Sequence, residues 1–165
     1  MERQFFITCR CRCGNGLVFT EEEDGTLTVD AVSSDWYRVK DNIFDRLKLR
    51  FIMALRPNAI LKEIVTDREH LEALCDFLAH ADVKDSSEEK REESYSVVTA
   101  RYEGDEMYML YLISQMSKAD VFRGHEHRAF EAQLNAADVR RLKGVIRKQM
   151  KRQEQLRQEE RGQTT

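Results

Sequence analysis

The stretch RQFFITCRCRCGNGLVF, Arg3 to Phe19, decides how the first third of this chain is read. Phe5, Ile7, Cys9, Cys11 and Cys13 alternate with Gln4, Thr8, Arg10 and Arg12. A period of two is the signature of a strand with one face buried and the other wet. Gly14-Asn15-Gly16 tolerates positive φ and offers a hairpin connection into Leu17-Val18-Phe19. Cysteine packs as a small hydrophobe and is among the most buried residue types. The expectation is therefore a strand running to Cys13, its three cysteines continuing the buried face of Phe5 and Ile7.

The competing reading is chemical. As thiolates, Cys9, Cys11 and Cys13 are soft ligands of the kind zinc prefers. Residues two apart on a strand point the same way with Cα atoms about 6.5 to 7 Å apart. Two such thiols reach one ion, whereas three in a line strain a tetrahedron. The usual knuckle, two cysteines separated by two residues, is absent, so a fourth ligand has to come from His125 or His127. His125-Glu126-His127 offers two imidazoles on one strand face, which makes Cys9, Cys11, Cys13, His125 and His127 the candidate metal set. His70 and His80 lie near opposite ends of one helix, too far apart to share an ion, and His80 suits the negative end of the helix dipole.

Working outward, Glu23-Asp24-Gly25 turns the chain into the strand TLTVDAV, Thr26 to Val32. Ser34 and Asp35 start a helix whose apolar residues Trp36, Val39, Ile43, Leu47, Phe51 and Leu55 recur every three or four positions up to Pro57. ILKEIV is a short strand. Thr66 to Glu69 form a capping box, Thr66 accepting and Glu69 reaching back, and the helix it opens buries Leu71, Leu74, Cys75 and Leu78. After the charged run DVKDSSEEKREES come SYSVVTARY and EMYMLYLIS, joined at Glu103-Gly104-Asp105, then RAFEAQL and a last helix capped by Asn135 to Asp138.

The order of elements predicts an α+β fold, with antiparallel β-sheets built from hairpins. About three amphipathic helices pack on them, including a long basic C-terminal helix. Residues 1–81 form a meander and helix-strand-helix lobe, 82–94 a charged linker, 95–152 a hairpin-strand-helix lobe, and 153–165 a fraying tail. The two lobes can share one joint core.

The segment DWYRVKDNIFDRLKLRFIMALRP with ILKEIVTDREHLEALCDFL, Asp35 to about Leu78, resembles small uncharacterised α+β proteins of bacteria and their phages. In those proteins an aromatic and basic helix precedes an acidic strand and a capped helix. Here Arg56-Pro57-Asn58 replaces their glycine-containing turn. The resemblance implies a fold and no activity.

Charge is distributed unevenly. Residues 1–83 carry 11 basic and 15 acidic side chains, and 84–134 carry 7 and 11; 135–165 carry 9 and 4. The surplus is concentrated in VRRLKGVIRKQMKR, Val139 to Arg152, seven cations and no acid. At about 100° per residue, Val139, Leu142, Val145, Ile146 and Met150 make an apolar floor. Arg140, Arg141, Lys143, Arg147, Lys148, Lys151 and Arg152 make a cationic roof, of which Arg140, Arg141, Arg147, Lys148, Lys151 and Arg152 are the candidates to meet a protein partner, a second copy in a homodimer, or phosphates. Gly144 costs this helix about 1 kcal/mol relative to alanine, which suggests that a neighbour packs closely there.

No phosphate-cradling glycine loop, zinc-protease helix or nucleophile-elbow serine is found, so no catalytic residues and no cofactor are assigned. The net charge of −3 and the lack of a base-reading motif weigh against nucleic acid as first choice. No apolar run approaches the roughly 18 residues of a membrane span. With no secretory signal the thiols are expected to stay reduced in the cytoplasm. The sequence favours a non-catalytic binding protein for a protein partner or itself, then a nucleic-acid accessory protein, then a metal-binding module.

Overall fold

The computed structural model describes residues 3–11, 13–33, 58–84, 95–115 and 131–163. They form seven strands and two helices: β1 Arg3–Thr8, β2 Asn15–Glu21, β3 Leu27–Ser33, β4 Asn58–Thr66, α1 Arg68–Ala79, β5 Tyr95–Gly104, β6 Met107–Gln115, β7 Glu131–Leu134 and α2 Ala136–Gln163. The α+β class with antiparallel sheets and a long C-terminal helix holds. Two helices, rather than about three, lie among the described residues; the helix expected over Trp36–Leu55 and the run 85–94 fall outside them.

All pairings are antiparallel, in the orders β1-β2-β3-β7 and β4-β6-β5. Each sheet therefore takes strands from both 1–81 and 95–152. Alternation sets the register. Ile7 faces Leu17, Phe19 faces Val29 and Leu27 faces Leu134, all inward and buried. In the second sheet Ile64 and Ala100 flank Leu110, and Val98 faces Leu112. The sheets approach each other where β1 and β2 meet β4 and where β5 meets β7. A single apolar cluster joins both sheets to Leu71, Leu74 and Leu78 of α1 and Val139, Leu142 and Ile146 of α2. Phe77 of α1 stacks on Phe5 with ring centroids 5.5 Å apart, fixing that helix to β1.

Both helices follow an edge strand through a capped turn. Asn135 accepts from the Asp138 amide at 2.9 Å and Asp138 accepts in return from the Asn135 amide at 3.4 Å, the reciprocal cap read from the sequence. At α1 the cap is displaced by one residue. Asp67, not Thr66, takes the extended cap conformation and accepts from the His70 amide at 2.9 Å. Thr66 ends β4, 1% exposed, its hydroxyl without a partner among the described residues.

Asp67→Ala should therefore cost about 1 kcal/mol, or about 2–4 °C in the thermal midpoint of a chain this size. Thr66→Val should cost nothing, because it removes an unsatisfied hydroxyl. Burial raises the Asp67 carboxyl, but the His70 amide and ring and the Arg10 charge outweigh it and leave the pKa below its ordinary value. The contribution is thus complete above the ordinary carboxylate pKa and is lost as pH falls through the depressed value. Thermal unfolding of both variants at neutral and acid pH checks the assignment.

The last helix also departs from expectation, running through the residues expected to fray. Beyond Arg152, Gln153 is buried and accepts from the Tyr108 hydroxyl at 2.6 Å. Arg68 donates to Glu154 at 2.8 Å, and Arg157 pairs with Glu106. These contacts reach α1 and the β5–β6 turn, so tertiary partners hold a segment whose own apolar seam is thin.

Candidate metal centre

The strand reading of CRCRC ends early. β1 stops at Thr8, and the Cys9 amide donates to the Asn15 carbonyl at 2.9 Å, closing the hairpin loop. Gly14, with φ of 77°, supplies a left-handed residue before β2. The loop is pinned from the other sheet. The Arg10 amide donates to the Val65 carbonyl at 2.9 Å, and the Val65 amide donates to the Cys9 sulfur at 3.3 Å. The Arg10 guanidinium pairs with Asp67 at 3.3 Å, and Lys62 donates to the Asn15 side chain at 2.9 Å. Four contacts from β4 and the start of α1 thus fix the loop at Cys9, Arg10 and Asn15.

The expectation of three buried cysteines is corrected. Cys9 is 7% exposed and belongs to the core, whereas Cys11 and Cys13 are exposed. Alternation of cysteine with arginine continues past the point where the chain leaves the sheet. The objection that three thiols on a strand lie in a line also falls, because the loop folds them together. All three Sγ atoms lie within 4.8 Å of one another, and Cys9 and Cys11 sulfurs are 2.8 Å apart. Two thiolates on one tetrahedral ion at Zn–S of about 2.3 Å stand about 3.8 Å apart. Loading therefore needs the closest pair to open by about 1 Å, within reach of a side-chain rotation at exposed Cys11.

The protons are already unequally held. Hydrogen bonding with Cys13 and then Cys9 pushes the Cys11 thiol up to about 11. The Cys13 thiol is lowered, first by the Cys11 S–H and then by the Asn15 amide. Within the cluster, Cys13 therefore gives up its proton more readily than Cys11. A metal ion entering here would displace the remaining protons, so its affinity would rise with pH.

His125 and His127 fall outside the described residues. His70 holds its Nδ1 against Asp67 at 2.7 Å, beside the cap. The His80 Nδ1–H donates to the Asp76 carbonyl at 2.7 Å, serving the helix end as expected. The fourth cysteine, Cys75, is buried in α1 and raised chiefly by that burial. Arg140, Arg141, Arg147, Lys148, Lys151 and Arg152 are all exposed on α2.

Sequence reasoning missed the residues that hold the loop: the Val65 amide, Lys62 and Asn15. Their contacts span 47 to 56 residues of chain, and no local pattern encodes them. Asp67 had been read as part of a capping box, without its bond to Arg10. No helix among the described residues is long and apolar enough to cross a membrane. No family model matches this chain, and neither a curated protein nor a solved structure matches it.

Proposed function

We propose that this is a binding protein for a soft, thiophilic metal ion, held by Cys9, Cys11 and Cys13. The observation that carries the reading is the gathering of three sulfurs within 4.8 Å on a loop tied to a second sheet. Soft sulfur ligands select monovalent copper or zinc over hard cations such as magnesium and calcium. Three thiolates complete a trigonal site for monovalent copper. For zinc they leave a fourth position, to be taken by water or by an imidazole such as that of His125 or His127. The Val65 N–H directed at Cys9 supports the same reading, since hydrogen bonds to a ligand orient it and tune its basicity.

The site suits loading and unloading better than structural stapling. Two of its sulfurs face solvent, and the scaffold has a core independent of them. All three ligands fall within a short stretch, so the unfolded chain can bind as well, which limits the stabilisation that binding gives the native state. The function requires reduced thiols and hence a reducing compartment such as the cytoplasm.

The test is competition under anaerobic, reducing conditions against chromophoric chelators, one selective for monovalent copper and one for zinc. The expected result is one equivalent withdrawn from one or both chelators, with affinity increasing from pH 6 to pH 8. Failure to compete with either chelator sinks the reading.

A further inference from the structure

We propose that the outer face of α2, between Arg140 and Arg152, docks on the phosphate backbones of duplex DNA without reading base sequence. Every exposed side chain in this stretch is a cation: Arg140, Arg141, Arg147, Lys148, Lys151 and Arg152. The opposite side, with Val139, Leu142 and Ile146, is buried in the common core. The helix is therefore held by its floor, and its charge is presented on a fixed rod about 18 Å long.

Gly144 gives the face its shape. It is exposed, and a Cβ built on it would meet nothing within 4 Å among the described residues. No neighbour packs closely there among the described residues, which offer no explanation for its helix-propensity cost. Residues three and four apart are neighbours on a helix surface. Gly144 is accordingly a dimple with Arg140 and Arg141 one turn before it and Arg147 and Lys148 one turn after it. Bare backbone at the centre of four cations lets a phosphate approach more closely than any side chain would allow.

Three observations choose among polyanions. A protein interface has an apolar or aromatic centre, and this face has neither, so an acidic protein would bury cations around nothing apolar. Single-stranded nucleic acid is held by aromatic platforms on which bases stack, and no aromatic residue occurs from Val139 to Arg152. The cations spread over an arc of about 140° around the axis, Arg147 at one margin and Arg152 at the other, so they address two rows of phosphate rather than one. The major groove of B-form DNA is wide enough to admit a helix between two such rows, whereas that of A-form RNA is too narrow. The acidic remainder of the chain repels DNA and confines the contact to α2.

The test is fluorescence anisotropy of a short labelled DNA duplex of arbitrary sequence, repeated over a range of salt. Binding should weaken with salt with a log–log slope of about −4 to −5, as release of ions from five or so phosphates requires. Arg147→Glu with Lys148→Glu should lower affinity by about tenfold or more while leaving the thermal midpoint unmoved. Gly144→Leu, whose Cβ meets no described atom within 4 Å, should weaken binding severalfold while holding or raising the midpoint. Absence of duplex binding at low salt, a Gly144→Leu variant that binds as well as the parent, or tighter binding to duplex RNA would each overturn the proposal. So would a dimer, seen by sedimentation, that the charge reversal disperses, since the face would then be a self-interface. The cysteine loop plays no part in these readouts.

Discussion

Cys11→Ser combined with Cys13→Ser should abolish metal binding and leave the metal-free protein as stable as the parent to within about 2 °C. Both side chains are exposed on a loop, and neither fills space in the core. Removing them takes away two of three soft ligands without opening a cavity. Cys9→Ser should behave differently. Its sulfur is 7% exposed, accepts from the Val65 amide and lies in the cluster with Ile7 and Leu17. A hydroxyl there trades apolar volume for a buried polar group, at about 1–3 kcal/mol. This variant should lose both metal and several degrees of thermal midpoint. Chelator competition and thermal unfolding, run on the same three proteins, separate ligand loss from structural damage. Equal destabilisation by the loop pair and by Cys9→Ser would mean that the loop sulfurs are packed rather than presented.

A coupling of about 1–3 kcal/mol is expected between Tyr108 and Gln153. Tyr108 is fully buried and donates to the Gln153 carbonyl oxygen, and Gln153 is 1% exposed with an amide nitrogen that has no partner among the described residues. Tyr108→Phe leaves the glutamine with both ends unsatisfied, and Gln153→Met strands the tyrosine hydroxyl. Each single change therefore leaves a buried polar group unpaired. Together they remove the whole polar patch, including the nitrogen that is already unpaired, and the double variant should return close to the parent. Equilibrium unfolding in urea on the four proteins measures the cycle. Additive losses would show that the second half of α2 is not docked on β6 as described.

The parts of the fold that were legible are those in which one face of an element is buried along its length. Val98, Ala100, Leu110 and Leu112 alternate with wetter neighbours, and Leu71, Leu74 and Leu78 recur at helical spacing, so burial wrote their periods into the chain. What periodicity cannot carry is the point at which a strand stops. CRCRC keeps a period of two after the backbone has turned, because the turn is held by Val65, far away in sequence. The same limit explains the cap. Thr66 and Asp67 are both good cap residues, and only the end of β4 decides between them. Gln153 and its neighbours read as a polar tail because their partners, Tyr108, Arg68 and Glu106, lie on other elements.

The candidate residues divided in a similar way. The six cations of α2 were readable because the apolar floor predicts its own opposite face. The cysteines were noticed for their spacing, but their grouping depends on a loop that only the tertiary contacts build.

Native mass spectrometry of the untagged protein, reduced and then offered one equivalent each of monovalent copper and zinc, tests the central claim most directly. The account predicts a mass above the bare chain by a single ion in the parent, and the bare mass in Cys11→Ser with Cys13→Ser. A bare parent after both offers, or an ion retained by the double variant, would contradict it.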